Sequence, residues 1–141
     1  MTYSSNCVMS DLVGKTVKAL YVSDDQSRLV VSHNEGHASY YCFGDCCSET
    51  WIADIVGVSS LLGHTVLKAE DIDLPQPDVD DGRSRQEYDS FYGIKLLTSG
   101  GYVDIVYRNS SNGYYGGNLE RDNDPVTNLA EMIEITEDYS A

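Results

Sequence analysis

The stretch Leu12-Val13-Gly14-Lys15-Thr16-Val17 returns 49 residues later as Leu61-Leu62-Gly63-His64-Thr65-Val66, each time just ahead of a strand pattern. After the first copy, residues 16–22 (TVKALYV) and 28–32 (RLVVS) are β-rich. Asn34-Glu35-Gly36 then turns the chain into residues 37–43 (HASYYCF). After the second copy, residues 65–69 (TVLKA) and 87–98 (EYDSFYGIKLLT) read as strands. Ser99-Gly100-Gly101 turns them into residues 102–107 (YVDIVY). Setting Gly36 against Gly101 places GDCCSE (44–49) opposite RNSSNGYYGG (108–117), which reads as a glycine-rich polar loop. The pattern predicts a mainly β (α+β) fold, an antiparallel sheet of two related β-β-β units. On this reading the units are duplicated half-domains, 12–60 and 61–120. L-x-G-x-T-V is also a common way to end one element and begin a strand, and the sequence leaves both readings open.

One short helical segment is expected after residue 48. Ser48 suits an N-cap and Glu49 a first turn. Trp51, Ile55, Val58 and Leu62 follow at steps of 4, 3 and 4, one helical face, and Gly63 suits a C-cap. Residues 73–86 (DLPQPDVDDGRSRQ) read as a long exposed loop. Residues 118–121 suit a short strand, and residues 128–137 (NLAEMIEITE) fit strand and helix equally.

At 141 residues the chain is one domain, and 41% hydrophobic content suffices for a core. Residues 1–10 have no period and are expected to form a flexible arm, with 11–141 a single β-rich domain. Nine Lys and Arg against 23 Asp and Glu give a net charge of −14, which repels phosphate backbones and argues against direct nucleic-acid binding. There is no long apolar run for a membrane and no signal-peptide pattern, so a cytoplasmic location is expected. Cys7, Cys42, Cys46 and Cys47 lack the paired spacing of zinc knuckles and are read as reduced thiols; no metal and no cofactor is expected.

Several apparent motifs dissolve on inspection. Gly14-Lys15-Thr16 lacks the upstream glycine of a phosphate-binding loop and precedes a strand. DVDDG has Val79 and Pro77 where a calcium loop needs ligands. His33, His37 and His64 accompany no nucleophile motif, so a non-catalytic protein is expected.

RNSSNGYYGG is the stretch with binding chemistry. Arg108 offers a planar fork for phosphate, and Asn109, Ser110 and Asn112 offer short polar groups. Tyr114 offers a face for a base. Phe91 is a second stacking candidate, while Arg83 and Arg85 either pair with neighbouring aspartates or close a lid over phosphate. The same loop reads equally as a decorated hairpin end. Eleven tyrosines favour an interface and hence a homo-oligomer.

L-x-G-K-T-V, GDCCSETW, VDDGRSRQE and YGIKLLT through VYRNSSNGYYGG, from about Leu12 to Glu120, resemble a family of small phage and bacterial proteins classed as a domain of unknown function. Size and β-rich plan are also similar to the Thoeris anti-defence signal sponges of phages. That resemblance implies an oligomer that binds a cyclic ADP-ribose isomer and sequesters this immune signal without cleaving it. Such sponges use an aromatic, an asparagine and arginines, and Phe91, Asn109 and Arg108 are the matching residue types. Two other readings compete. One is an acidic protein-binding inhibitor that mimics DNA in a host protein's basic groove. The other is a signal-degrading enzyme using His33 or His37.

Overall fold

The computed structural model describes residues 7–44, 48–73, 88–111, 117–122 and 129–140. Among them the strands are β1 (Val17–Val22), β2 (Arg28–His33), β3 (Gly36–Gly44), β4 (Ser48–Val56), β5 (Val66–Asp73), β6 (Tyr88–Thr98), β7 (Gly101–Ser111), β8 (Gly117–Asp122), β9 (Ile133–Glu134) and β10 (Tyr139–Ser140). Helix is confined, among the described residues, to α1 (Val58–Leu61) and 3-10 turns at Ser10–Leu12 and Leu129–Glu131. The strands form two antiparallel sheets, ordered β8-β3-β2-β1-β9 and β10-β4-β7-β6-β5. The mainly β reading therefore holds, as two sheets rather than one. Their inner faces meet over Leu20, Val22, Leu29, Val31 and Tyr40 from one and Ile52, Ile55, Ile94, Leu96 and Ile105 from the other.

Connectivity is crossed between the sheets. β1-β2-β3 is a meander in one sheet and β5-β6-β7 in the other, but β4 leaves β3 to pair with β7, and β8 leaves β7 to pair with β3. Each meander is thus completed by the strand that follows the other. The two LxGxTV stretches sit back to back where the sheets meet. Gly14 N donates to Val66 O at 2.8 Å, and Gly63 N donates to Val17 O at 2.7 Å. Val66 N donates to Lys15 O at 2.9 Å, and Val17 N to His64 O at 3.0 Å. Thr16 and Thr65 face each other with hydroxyls 2.9 Å apart. Every bond in this set has a counterpart with the two stretches exchanged. Even the irregularities correspond, since the register slips at Lys18 in β1 and at Leu67 in β5.

Three expectations need correction. Residues 48–56 are a strand, and the helix is only Val58–Leu61. The cause is a bulge at Ala53, where the register with β7 jumps from Ile52 to Asp54. The extra residue returns Ile55 to the inward face shared with Ile52, so Trp51 and Ile55, four apart as on a helical face, lie on opposite faces of the strand. Trp51, Ile52 and Val56 also favour the pleated surface they occupy. Second, β7 runs through Ser111, so Arg108 to Ser111 are strand rather than loop. They are held there by β4 on one side and β6 on the other. Third, the folded body includes part of the expected arm, because Cys7 and Met9 are buried in the core. Residues 45–47, 74–87 and 112–116 lie outside the described residues.

The C-terminal residues fasten both sheets. β9 pairs with β1, Ile135 N donates to Leu20 O at 2.7 Å, and β10 pairs with β4. Asp138 Oδ1 accepts from Gly57 N at 2.9 Å and Val58 N at 3.0 Å, capping α1.

Gly57 and Gly14 provide a matched test. Both have left-handed backbone, φ +94° and +89°, but a Cβ at Gly57 would stand 2.4 Å from Tyr102 O while one at Gly14 meets nothing within 4 Å. Gly14→Ala is expected to cost about 1 kcal/mol in denaturant unfolding, the strain alone. Gly57→Ala should cost at least about 1 kcal/mol more, because backbone must move to admit the methyl.

Candidate functional site

β7 is the middle strand of its sheet, and its last residues alternate between the two faces. Tyr107 and Asn109 share the inward face, while Arg108 points out. On the outer face Arg108 stands in register between Trp51 of β4 and Phe91 of β6. Its Cζ lies 5.4 Å from the Trp51 ring centroid, a cation–π contact. Trp51 is fully buried and Arg108 is 2% exposed. A cation this enclosed interacts strongly with the polar groups around it, because the surroundings screen it little.

On the inner face Asn109 is fully buried. Its Nδ2 donates to Thr50 Oγ1 at 2.9 Å and to Glu49 O at 3.4 Å. Thr50 Oγ1 in turn donates to Phe43 O at 3.1 Å. This relay runs from β7 through β4 to β3 and so crosses from one sheet to the other. Asn109 Oδ1 has no hydrogen-bond partner among the described residues. One layer deeper, Tyr107 stacks on Tyr92 with centroids 5.2 Å apart and planes 21° from parallel.

The structure therefore separates residues that the sequence reading grouped. Arg108 and Asn109 are adjacent but open to opposite faces, so no small ligand touches both from one side. Phe91 is on the same register line as Arg108, and Ser110 lies one step further along β7, paired with Asp89 and Glu49. Asn112, Tyr114, Arg83 and Arg85 lie outside the described residues. Trp51 and Thr50 are the neighbours sequence reasoning missed. Reading their strand as a helix hid them, because Trp51 and Ile55 stand four residues apart.

The histidines gather elsewhere. His33 and His37 flank the β2–β3 turn, and His64 Nδ1 is 3.2 Å from Ser99 Oγ at the β6–β7 turn. Ser99 Oγ accepts from Thr65 N at 3.1 Å, as Asn34 Oδ1 accepts from Thr16 N at 3.0 Å, so Ser99 is a turn cap. Arg108 lies seven residues along β7 from Gly101, roughly 23 Å away from that end. Among the described residues no three His, Cys, Asp or Glu side chains are placed to hold a metal ion, and no helix is long and apolar enough to cross a membrane.

Residues 10–120 match the family described as a domain of unknown function, DUF7448. The chain belongs to that family. An uncharacterized protein of Acanthamoeba polyphaga mimivirus is 42% identical over 83 residues, which are 54% of this chain and 60% of that protein. The chain thus spans about 60% of the length of this relative. No solved structure matches it. The family match takes in β4, β7 and the Arg108–Trp51 pair, and stops short of the C-terminal clip.

Two measurements check this account. Thr50→Val removes the acceptor of Asn109 Nδ2 while keeping shape, and should cost about 1–3 kcal/mol by denaturant unfolding. Alkaline pH should also unfold the protein. Burial pushes Cys7 up to about 11 and Tyr107 up to about 12, and raises Tyr40 as well. The fold thus holds these groups neutral where the unfolded chain ionises them. Their contribution is complete below about pH 9 and is lost as pH climbs through 11 to 12. A melting temperature flat between pH 8 and about pH 11 would contradict it.

Proposed function

We propose that this protein captures a nucleotide-derived anionic small molecule and holds it without cleaving it, as an anti-defence signal sponge does. A cyclic ADP-ribose isomer is the first ligand to test, and the host cytoplasm the expected setting. The observation that carries this reading is Arg108, enclosed to 2% exposure and stacked on Trp51 on the middle strand of a sheet. The guanidinium fork fits a phosphate. The viral origin of one relative supports an anti-defence setting. Asn109 has a different part on this reading, tying β7 to β4 behind the site rather than touching ligand.

A second reading, the acidic protein-binding inhibitor, draws on Glu131, Glu134 and Glu137, exposed at three-residue steps along the C-terminal clip. Regular carboxylates are what a DNA mimic presents to a basic groove.

Calorimetric titration with cyclic ADP-ribose isomers, followed by chromatography of the recovered ligand, separates the readings. Tight binding with intact ligand supports the sponge, altered ligand makes it an enzyme, and no heat with any isomer transfers the weight to the acidic inhibitor. Arg108→Lys keeps charge and loses the fork, and should weaken binding at least about tenfold. Unchanged affinity in that variant removes Arg108 from the site. Arg108→Ala is the poorer probe, since the side chain is buried against Trp51 and its loss disturbs packing as well as binding.

A further inference from the structure

The outer face of the β5-β6-β7-β4 sheet carries exposed apolar side chains beside paired charges. Register places Leu97 beside Tyr102, and Glu70, Lys95, Asp104 and Val56 in one line across the four strands. Of the large apolar side chains, Tyr102 is 62% exposed and Val56 48%, with Leu67 also exposed at the β5 bulge. Lys95 sits 5.2 Å from the Tyr102 ring centroid and 3.9 Å from Asp104 Oδ1, and Lys68 sits 3.5 Å from Glu70 Oε2. Lys68 and Lys95 cancel Glu70 and Asp104, and with Asp54 on the next line this part of the face carries a net charge near −1 on a chain of net charge −14.

We propose that this face docks a second copy of the same chain. Two copies at −14 repel at long range, so they can meet only where local charge is balanced. A two-fold contact must be self-complementary, each residue type meeting its complement on an identical patch. The line Glu70–Lys95–Asp104 alternates in sign, and a two-fold axis between β6 and β7 sets Lys95 of each copy against Asp104 of the other, with Glu70 against Val56. Tyr102, Leu97 and Val56 supply the apolar area that such a contact removes from water. A foreign partner with a basic groove fits this nearly neutral face poorly. Arg108 and Trp51 lie at the far end of the same sheet, so the docking argument stands independently of the ligand reading.

Sedimentation velocity on the full chain, up to about 100 µM, is the test. The wild type should form a pair. Tyr102→Glu and Lys95→Glu should each raise its dissociation constant at least tenfold, with the melting temperature of the separated chain held. Ile133→Glu, an exposed apolar position on the C-terminal clip, should leave the pair intact. A wild type that stays single throughout overturns the proposal. So does a pair that survives both face variants, or one lost equally in the Ile133 control.

Discussion

The reciprocal bonds around Thr16 and Thr65 are what the rest of the molecule depends on. They join the starts of β1 and β5, which belong to different sheets, through backbone hydrogen bonds that each stretch makes to the other. Once those starts are fixed, the two meanders run out from a common seam and their third strands come to lie where each accepts the strand following the other. The sandwich is held by exchange as much as by burial, since neither sheet is whole without a strand from across the seam. Asn109 and Thr50 repeat the theme at the far end, carrying a hydrogen-bond relay from β7 to the β3 carbonyl of Phe43.

This arrangement explains how the candidate site is built. A middle strand is paired on both sides, so its side chains are confined to two directions. Arg108 can leave the sheet only on the outer face, where Trp51 supplies a flat surface for a guanidinium that burial would otherwise penalise. Asn109 is directed inward, where its amide secures the strand that bears Trp51. Cation and scaffold are thus adjacent residues on opposite sides of one strand.

Much of the strand order was legible, because alternation and glycine turns depend on near neighbours. The hairpins at Gly36 and Gly101 and the LxGxTV correspondence are examples. Where the reading failed, a bulge or a remote partner was responsible. Trp51 and Ile55 have the spacing of a helical face but stand on opposite sides of β4 across the bulge at Ala53, and no local signal marks an inserted residue. Arg108 and Asn109 looked like loop because Asn, Ser and Gly follow them. Their strand character comes from β4 and β6, remote in sequence. For the same reason Trp51 was invisible as a neighbour of Arg108. The crossing of β4 and β8 is a choice of partner that no periodicity encodes.

The exchange also sets the order in which the molecule can be assembled. As the chain is made from its N-terminus, β1, β2, β3 and β4 are available long before β7, the partner of β4, or β8, the partner of β3. Until residue 111 is out β4 has no sheet to join, and until residue 122 is out the first meander has an open edge. Those waiting edges are rows of unpaired backbone groups of the kind that recruit other strands. The protein is therefore obliged to fold late and through distant contacts, which makes it slow to form and most exposed to mispairing while still on the ribosome.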